Sequence, residues 1–124
     1  MLAKKELRIL VVEDHPDAAE SLRRLLEFSG YQVRVVHTGY QAVRTARRLQ
    51  PHIVLCDIGL PEGDGYVVAS ILRQSSETSR ARLIAVTGYD DPDSRRRSQQ
   101  AGFDVHLAKP VDARTLLGEI EALH

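Results

Sequence analysis

Residues 53–65, "IVLCDIGLPEGDG", place an acidic residue directly after four apolar residues and before a turn rich in glycine and proline. The apolar run is continuous rather than alternating, which is typical of a strand covered on both faces of a parallel sheet. A carboxylate at the end of such a strand is costly to bury unless a neighbouring group needs its charge. Asp57 is therefore the first candidate functional residue of the chain.

Short apolar runs and longer amphipathic segments alternate on both sides of this stretch. The pattern predicts strands over residues 7–12, 31–36, 53–56, 83–86 and 105–108. It predicts helices over residues 17–29, 39–49, 66–74 and 92–101, and a last helix capped by Asp112. Five strand–helix units in succession indicate parallel strands joined by right-handed crossovers, with helices on both faces. We therefore expect one doubly wound α/β domain over residues 1–124.

The overall charge is balanced, with 17 Lys and Arg residues against 17 Asp and Glu residues. This balance argues against a general nucleic-acid or membrane-surface binder, which needs a basic excess. Local basic clusters occur at Arg23 and Arg24, at Arg47 and Arg48, and at Arg95, Arg96 and Arg97. Each is interpreted as the solvated face of a helix. No direct contact with nucleic acid or with a membrane is expected.

The single cysteine, Cys56, lies inside an apolar run. It has no partner for an intramolecular disulfide, which fits a reducing compartment, and burial makes an inert thiol the better interpretation than a nucleophile. No apolar run approaches the roughly 18 residues that would span a bilayer. The first residues, "MLAKKELRILVVEDHP", do not resemble a secretory signal. The expected compartment is the cytoplasm.

Polar residues follow four of the five predicted strands, at the point where each strand ends. The carboxyl ends of parallel strands meet at one edge of the sheet, where sites form in doubly wound folds. This edge is expected to collect three carboxylates, a hydroxyl, a flexible turn and an ammonium. The residues concerned are Glu13, Asp14, Asp57, Thr87, Gly88 and Lys109.

Three carboxylates and one lysine leave an excess of negative charge. A divalent cation would balance that charge, and ligands that are all oxygen atoms suit Mg²⁺. A carboxylate such as Asp57 can also attack phosphorus and form an acyl phosphate. Lys109 and Thr87 would stabilise the phosphoryl oxygens, and Gly59 and Gly88 would let backbone N–H groups approach them closely.

The chain resembles the receiver domains of two-component response regulators. The resemblance is carried by "ILVVEDHP", "VLCDIGLPEGDG" around Asp57, "AVTG" with Thr87, "LAKPVD" with Lys109, and the fivefold strand–helix order. It covers essentially the whole chain, and the set of motifs in this order is far more specific than any one of them. It implies a flavodoxin-like (βα)5 fold with a parallel sheet in the strand order 2-1-3-4-5.

The resemblance also implies roles for the clustered residues. Asp57 would accept a phosphoryl group from a histidine kinase or a histidine phosphotransfer domain. Asp14, Asp57 and the Gly59 carbonyl, with Glu13 through water, would hold Mg²⁺. Lys109 would pair with the phosphoryl group. The protein would catalyse only its own phosphorylation and dephosphorylation and would not be a metabolic enzyme.

Thr87 would move toward the phosphoryl group and carry the fourth helix with it, as part of a switch. The face formed by the fourth helix, fifth strand and fifth helix is where such domains dimerise or meet partners. Two positions depart from the family pattern. His106 stands three residues before Lys109, where an aromatic residue is common, and Gly59 stands where a larger side chain is common. The chain also resembles receivers fused to hybrid histidine kinases, so a covalently attached kinase in a longer protein remains an alternative to a single-domain regulator.

Other interpretations of the same residues stay open at this point. Asp57, Glu13 and Asp14 are also residue types that cap helices. A phosphatase of the haloacid-dehalogenase type uses an Asp nucleophile and Mg²⁺, but it needs a second Asp two positions later as a general acid. Gly59 occupies that position and has no proton to give. A degenerate receiver that acts only as a docking module is the third alternative.

Overall fold

The computed structural model of the protein describes residues 2–60 and 64–123. The strands are β1 (Arg8–Val12), β2 (Gln32–Val36), β3 (Ile53–Asp57), β4 (Arg82–Thr87) and β5 (Val105–Ala108). The α-helices are α1 (Pro16–Phe28), α2 (Gly39–Leu49), α3 (Gly65–Gln74), α4 (Pro92–Ala101) and α5 (Ala113–Ala122). The predicted bounds agree with these to within one residue. A short 3₁₀ helix at Lys4–Glu6 was not predicted, because three residues are too few to show a period.

All four strand pairs are parallel, and the sheet has the order β2-β1-β3-β4-β5. This confirms the predicted α/β class and strand order. Because every connection between parallel strands needs a crossover, a helix follows each strand and covers one face of the sheet. The central strands β1, β3 and β4 are therefore buried on both faces, which explains their continuous apolar sequences.

Two hydrophobic cores lie on opposite faces of this sheet. Successive side chains of β1 alternate between them: Leu10 packs with residues of α2 and α3, whereas Ile9 packs with residues of α1 and α5. Both side chains are completely buried. Cys56 belongs to the first core, where burial raises the pKa of its thiol and keeps it protonated. These observations fit the interpretation of Cys56 as an inert core residue.

The strand register brings the candidate residues to one edge of the sheet. Val12 pairs with Cys56, so Glu13 follows beside Asp57 at the ends of β1 and β3. Thr87 pairs with Ala108, so Lys109 follows at the end of β5. The predicted site is therefore built by chain segments that are far apart in sequence and adjacent in the sheet.

The hydrogen bonds at the N-termini of α3 and α5 show which acidic residues cap these helices. Asp64 caps α3, since its Oδ1 accepts a hydrogen bond from the Tyr66 N–H at 2.7 Å. Asp112 caps α5 as predicted, accepting from the Thr115 N–H at 2.8 Å. The interpretation of Asp57 as a helix cap is therefore wrong, and its carboxylate is available for another role.

Gly65 at the start of α3 packs directly against the end of β3. A Cβ atom built at this position would lie 2.7 Å from the Ile58 Cα and 2.9 Å from the Asp57 carbonyl oxygen. Neither backbone atom has room to move, so the close approach of helix and strand requires glycine. Gly65 thus helps to fix the backbone that carries Asp57.

Over residues 2–60 and 64–123, the helices are too short or too polar for any of them to cross a membrane.

Replacing Gly65 by alanine should lower the free energy of unfolding by about 1–3 kcal/mol, the usual range for overpacking. Urea titration followed by circular dichroism measures this change. Gly118→Ala is the matched control, because a Cβ there meets nothing within 4 Å in the middle of α5. The control should raise the free energy of unfolding by about 0.5–1 kcal/mol. Equal stabilities for Gly65→Ala and the unchanged protein would contradict the close approach.

Candidate functional site

Three carboxylates gather at the carboxyl edge of the sheet. Glu13, Asp14 and Asp57 each offer an oxygen atom within 4.8 Å of the others. Glu13 is buried, with a side chain 4% exposed, whereas the Asp57 side chain is 12% exposed and Asp14 faces solvent. Asp57 is therefore shielded by its neighbours but accessible from outside, as a reacting carboxylate needs to be.

Lys109 joins two of these carboxylates. Its ammonium donates hydrogen bonds of 3.1 Å to Glu13 Oε1 and of 3.1 Å to Asp57 Oδ2. The backbone N–H of Lys109 also donates to the Thr87 carbonyl at 2.8 Å, which continues the pairing of β4 with β5. The peptide bond between Lys109 and Pro110 is cis. The prediction that Lys109 lies beside Asp57 matches this geometry.

The electrostatics of the cluster leave a net negative charge. Burial raises the pKa of the Glu13 carboxyl, and the Asp57 charge adds to this, although hydrogen bonds from the His15 N–H and from Lys109 oppose it. Burial alone would lower the pKa of Lys109, but the hydrogen bonds and charges of Glu13 and Asp57 outweigh it, so this pKa is raised. The lysine therefore stays cationic at neutral pH and balances only part of the acidic charge.

The donor set fits a small divalent cation. All three clustered side chains offer carboxylate oxygens, which are the ligands that Mg²⁺ prefers. The Asp14 carboxylate has no hydrogen-bond partner among the described residues, and α1 begins at Pro16 without using it as a cap. Its position is explained by a ligand role better than by the capping role that the sequence left open.

Thr87 ends β4 as a buried residue, with 1% exposure. Its Oγ1 accepts a hydrogen bond of 3.1 Å from the Tyr89 N–H, in the loop that leads to α4. Because β4 pairs with β3 and Val86 lies beside Asp57, Thr87 lies one residue beyond the phosphoacceptor candidate in the neighbouring strand. The hydroxyl thus connects the site edge with the loop before α4.

The two glycines predicted to line the site differ in their surroundings. The Gly59 N–H donates to Asp57 Oδ1 at 3.0 Å, and a Cβ atom there would lie 3.8 Å from the same oxygen. A Cβ atom at Gly88 would meet nothing within 4 Å.

No proton donor stands two residues after Asp57, because that position is Gly59, so the phosphatase alternative gains no support from the structure.

His106 lies in β5, with a side chain that is 7% exposed. Its Nε2 is 2.9 Å from the Tyr89 carbonyl oxygen, which only accepts, so Nε2 carries a proton and donates. Its Nδ1 forms a hydrogen bond of 2.7 Å with Ser98 Oγ. Ser98 is buried in an otherwise polar helix and was not predicted. The sequence of α4 carries no signal of this contact, because Ser98 is one of several small polar residues there and its burial depends on the packing of α4 against β5.

A cleft of about 460 Å³ opens beside the carboxylates, between α1 and the loop before α5. Its walls are largely apolar and include Ala18, Leu22, Val86, Pro110 and Val111. A larger groove of about 780 Å³ lies at the opposite edge of the sheet, near Arg8 and Arg82. The smaller cleft is the one relevant to the site, because Glu13, Asp57 and Lys109 form its polar end.

Comparison with known proteins agrees with this geometry. Residues 9–121 match the family of response regulator receiver domains. The chain belongs to this family. It is 36% identical to the protein PilH of Pseudomonas aeruginosa over 116 residues, which cover 94% of this chain and 96% of PilH.

Two solved receiver domains of histidine kinases are also similar. The receiver of a signal transduction histidine kinase from Syntrophus aciditrophicus is 34% identical, with a TM-score of 0.86, over 94% of this chain and 88% of that one. The receiver of the sensor histidine kinase PA1611 from Pseudomonas aeruginosa is 33% identical, with a TM-score of 0.88, over 94% of this chain and 96% of that one. The latter structure has a magnesium ion coordinated in its active site cleft.

Membership of the family confirms the predicted class of function. The protein is a phosphoacceptor receiver domain of two-component signalling, and such domains are signalling modules rather than metabolic enzymes. Receiver domains interact with histidine kinases or phosphotransfer proteins and bind Mg²⁺ at an acidic pocket. The cluster of Glu13, Asp14 and Asp57 is the acidic pocket of this chain.

Neutralising Asp14 should stabilise the protein when divalent cations are removed. Asp14→Asn relieves repulsion with two nearby carboxylates and loses no hydrogen bond within the described chain, so the free energy of unfolding should rise by on the order of 1 kcal/mol. Urea unfolding in excess chelator measures it, and added salt should reduce the gain. Asp17→Asn, which neutralises an exposed acid in the first turn of α1, should give no gain. A destabilised Asp14→Asn variant would contradict the electrostatic interpretation.

Proposed function

We propose that Asp57 is the phosphoacceptor of this receiver domain and takes a phosphoryl group from a phosphohistidine of a histidine kinase or phosphotransfer domain. The observation that carries this proposal is the position of its carboxylate at the end of β3. It is held by the Lys109 ammonium and lies within 4.8 Å of two further carboxylates. The partly exposed oxygens allow a phosphorus centre to approach from solvent.

In the transfer step, a carboxylate oxygen of Asp57 forms a bond to phosphorus while the bond from phosphorus to the donor imidazole nitrogen breaks. The imidazole leaves as the neutral ring after taking up a proton. Lys109 already donates to Asp57 Oδ2, so its ammonium is placed to follow the negative charge onto a phosphoryl oxygen. The Thr87 hydroxyl and the Gly88 N–H are proposed to bind the remaining oxygens.

The proposed metal ligands are Asp14, Asp57 and the Gly59 carbonyl, with Glu13 acting through water. Mg²⁺ bound there would neutralise developing charge on the phosphoryl oxygens and bring the donor phosphate toward the carboxylate. The side chains of this chain keep that site acidic and open. Glu13 stays in place because its Oε2 accepts from the His15 N–H and its Oε1 accepts from Lys109.

The same site is proposed to catalyse its own phosphorylation from small phosphodonors and the hydrolysis of the acyl phosphate. Gly59 leaves one side of Asp57 without a covering side chain, since a Cβ atom there would already lie 3.8 Å from Oδ1. Water can therefore approach the phosphorylated carboxylate from this side. Both reactions involve only the protein's own Asp57, so no metabolite is turned over.

The apolar cleft between α1 and the loop before α5 is proposed as the surface that receives the phosphodonor protein. Its apolar walls end at Asp57 and Lys109, so a helix docked there would present a histidine to the carboxylate. The partner is a separate kinase, a phosphotransfer domain or a kinase attached in a longer protein. A homodimer through the α4–β5–α5 face, and a cytoplasmic location that keeps Cys56 reduced, belong to the same proposal.

Acetyl phosphate with Mg²⁺ should add one phosphoryl group to the protein, and Asp57→Asn should abolish the addition because an amide is not a nucleophile toward phosphorus. Intact-mass spectrometry detects the product. Asp64→Asn is the control, since asparagine caps a helix about as well as aspartate and the α3 cap is therefore kept. Equal labelling of Asp57→Asn and the control would show that another residue is the acceptor.

The switch is proposed to run from Thr87 to α4 through hydrogen bonds. Thr87 Oγ1 accepts from the Tyr89 N–H, the Tyr89 carbonyl accepts from His106 Nε2, and His106 Nδ1 is hydrogen-bonded to Ser98 Oγ. If the Thr87 hydroxyl turns toward a phosphoryl group, the first of these bonds is lost. His106 then passes the displacement of the loop to α4 through Ser98, in place of the ring rotation of an aromatic residue.

Removing the Ser98 hydroxyl should uncouple α4 from the phosphorylated site. In Ser98→Ala, beryllofluoride with Mg²⁺ should still shift the amide signals of Asp57 and Gly59, but the shifts in α4 should fall to less than half of those in the unchanged protein. Two-dimensional NMR measures both sets of signals. Ser76→Ala, in the exposed loop after α3, should leave both sets unchanged. Full-sized shifts in α4 of Ser98→Ala would rule out this route.

A further inference from the structure

A basic groove of about 320 Å³ lies between the edge strand β2 and helix α2. Three arginines and a histidine line it, together with two valines and two uncharged polar residues. The lining residues are Arg34, Val35, Val36, His37, Gln41, Arg44, Thr45 and Arg48. None of them belongs to the acidic pocket. We call this feature the β2–α2 groove.

The fold brings the three arginines together from two elements. Arg34 pairs with Leu10 in the sheet register, and Leu10 packs against α2, so Arg34 projects from the same face of the sheet. Arg44 and Arg48 are four residues apart in α2 and therefore share one side of the helix. The edge strand β2 has no neighbouring strand beyond it, so the three side chains line a groove at an open margin of the sheet.

These guanidinium groups have no acidic partner among residues 2–60 and 64–123. Five other arginines pair with acids, among them Arg23 with Glu20 and Arg73 with Asp104, whereas exposed arginines such as Arg24 and Arg114 form no ion pair within the described chain. Arg34, Arg44 and Arg48 form no such ion pair within the described chain. The positive charges of Arg44 and Arg48 on α2 and of Arg34 on β2 repel each other, which destabilises the fold slightly. What distinguishes these three arginines is that they line one groove, where an anionic ligand would relieve the repulsion among them.

Two side chains of the groove, Arg44 and His37, make contacts that do not neutralise the arginine charges. The Arg44 guanidinium lies 5.7 Å from the centre of the Tyr40 ring. The His37 Nδ1 is 3.0 Å from the Glu13 carbonyl, and the His37 N–H donates to Gln41 Oε1 at 2.9 Å. Because these two side chains are already ordered, they lose less conformational entropy on binding an anion than mobile side chains would.

We propose that the β2–α2 groove binds a small ligand that carries two or more phosphate groups. Guanidinium groups bind phosphate through paired hydrogen bonds, and three of them match a diphosphate or triphosphate better than a single carboxylate. The volume suits a small molecule rather than a protein surface. The exposed Tyr40 ring beside Arg44 offers an apolar contact to a nucleoside. This binding is independent of the proposed phosphoryl transfer to Asp57.

Isothermal titration calorimetry of the purified chain with pyrophosphate and with ATP tests the proposal. Excess chelator keeps the acidic pocket free of divalent cations, so binding at that pocket does not contribute. Saturable one-to-one binding with a dissociation constant at or below about 1 mM is expected. Tighter binding of ATP would identify a nucleotide as the ligand, and equal binding would identify an inorganic polyphosphate. Both results support the proposed chemistry.

Arg34→Ala and Arg48→Ala should each weaken this binding by about tenfold or more, because each removes a charged pair of hydrogen bonds. Arg114→Ala is the control: it removes the same charge from the exposed surface of α5 and should leave the affinity unchanged. Circular dichroism confirms that each variant is folded. Absence of saturable binding, or equal loss in all three variants, would overturn the proposal. Tighter binding of polyglutamate than of pyrophosphate would also overturn it and indicate an acidic protein partner.

Discussion

The ammonium of Lys109, shared between Glu13 and Asp57, is the interaction on which the arrangement of the site depends. It joins the ends of β1, β3 and β5, and Lys109 lies 96 residues beyond Glu13 in the sequence. Without this cation, the carboxylates of Glu13, Asp14 and Asp57 would lie close together with no cationic side chain of the described residues bound to them. One lysine reduces the repulsion but does not remove it. The remaining negative charge suits the pocket to a divalent cation.

The acidic pocket and the β2–α2 groove each place like charges close together, an arrangement that favours ligand binding but is expected to reduce stability. The acidic pocket concentrates negative charge at the carboxyl edge of the sheet, whereas the β2–α2 groove concentrates positive charge at the margin of β2. The whole chain has no net charge, so the two features reflect how charge is distributed and not an excess. Repulsion within each feature is expected to cost stability, and the proposed ligands would relieve it.

The elements of the fold and the acidic pocket could be predicted from local signals in the sequence, and the strand order from the family resemblance. Apolar runs marked β1, β3 and β4, alternation marked β2, and parallel pairing placed Asp57 and Lys109 at one edge. The finer contacts depend on side chains that meet across the fold. The bonds of His106, the close approach at Gly65 and the placement of Arg34 and Arg48 at one groove have no signature in any short stretch. The isolated basic pairs looked like solvated helix faces, and only the sheet register shows that Arg34 joins two residues of α2.

A crystal structure of the protein with Mg²⁺ and beryllium trifluoride would test the assignment of the site most directly. Beryllium should be bonded to a carboxylate oxygen of Asp57, with Mg²⁺ on Asp14 and Asp57 and the Lys109 ammonium within hydrogen-bond distance of a fluoride. An unmodified Asp57 with beryllofluoride bound elsewhere, or a Lys109 side chain turned away from the pocket, would contradict the roles given to these residues.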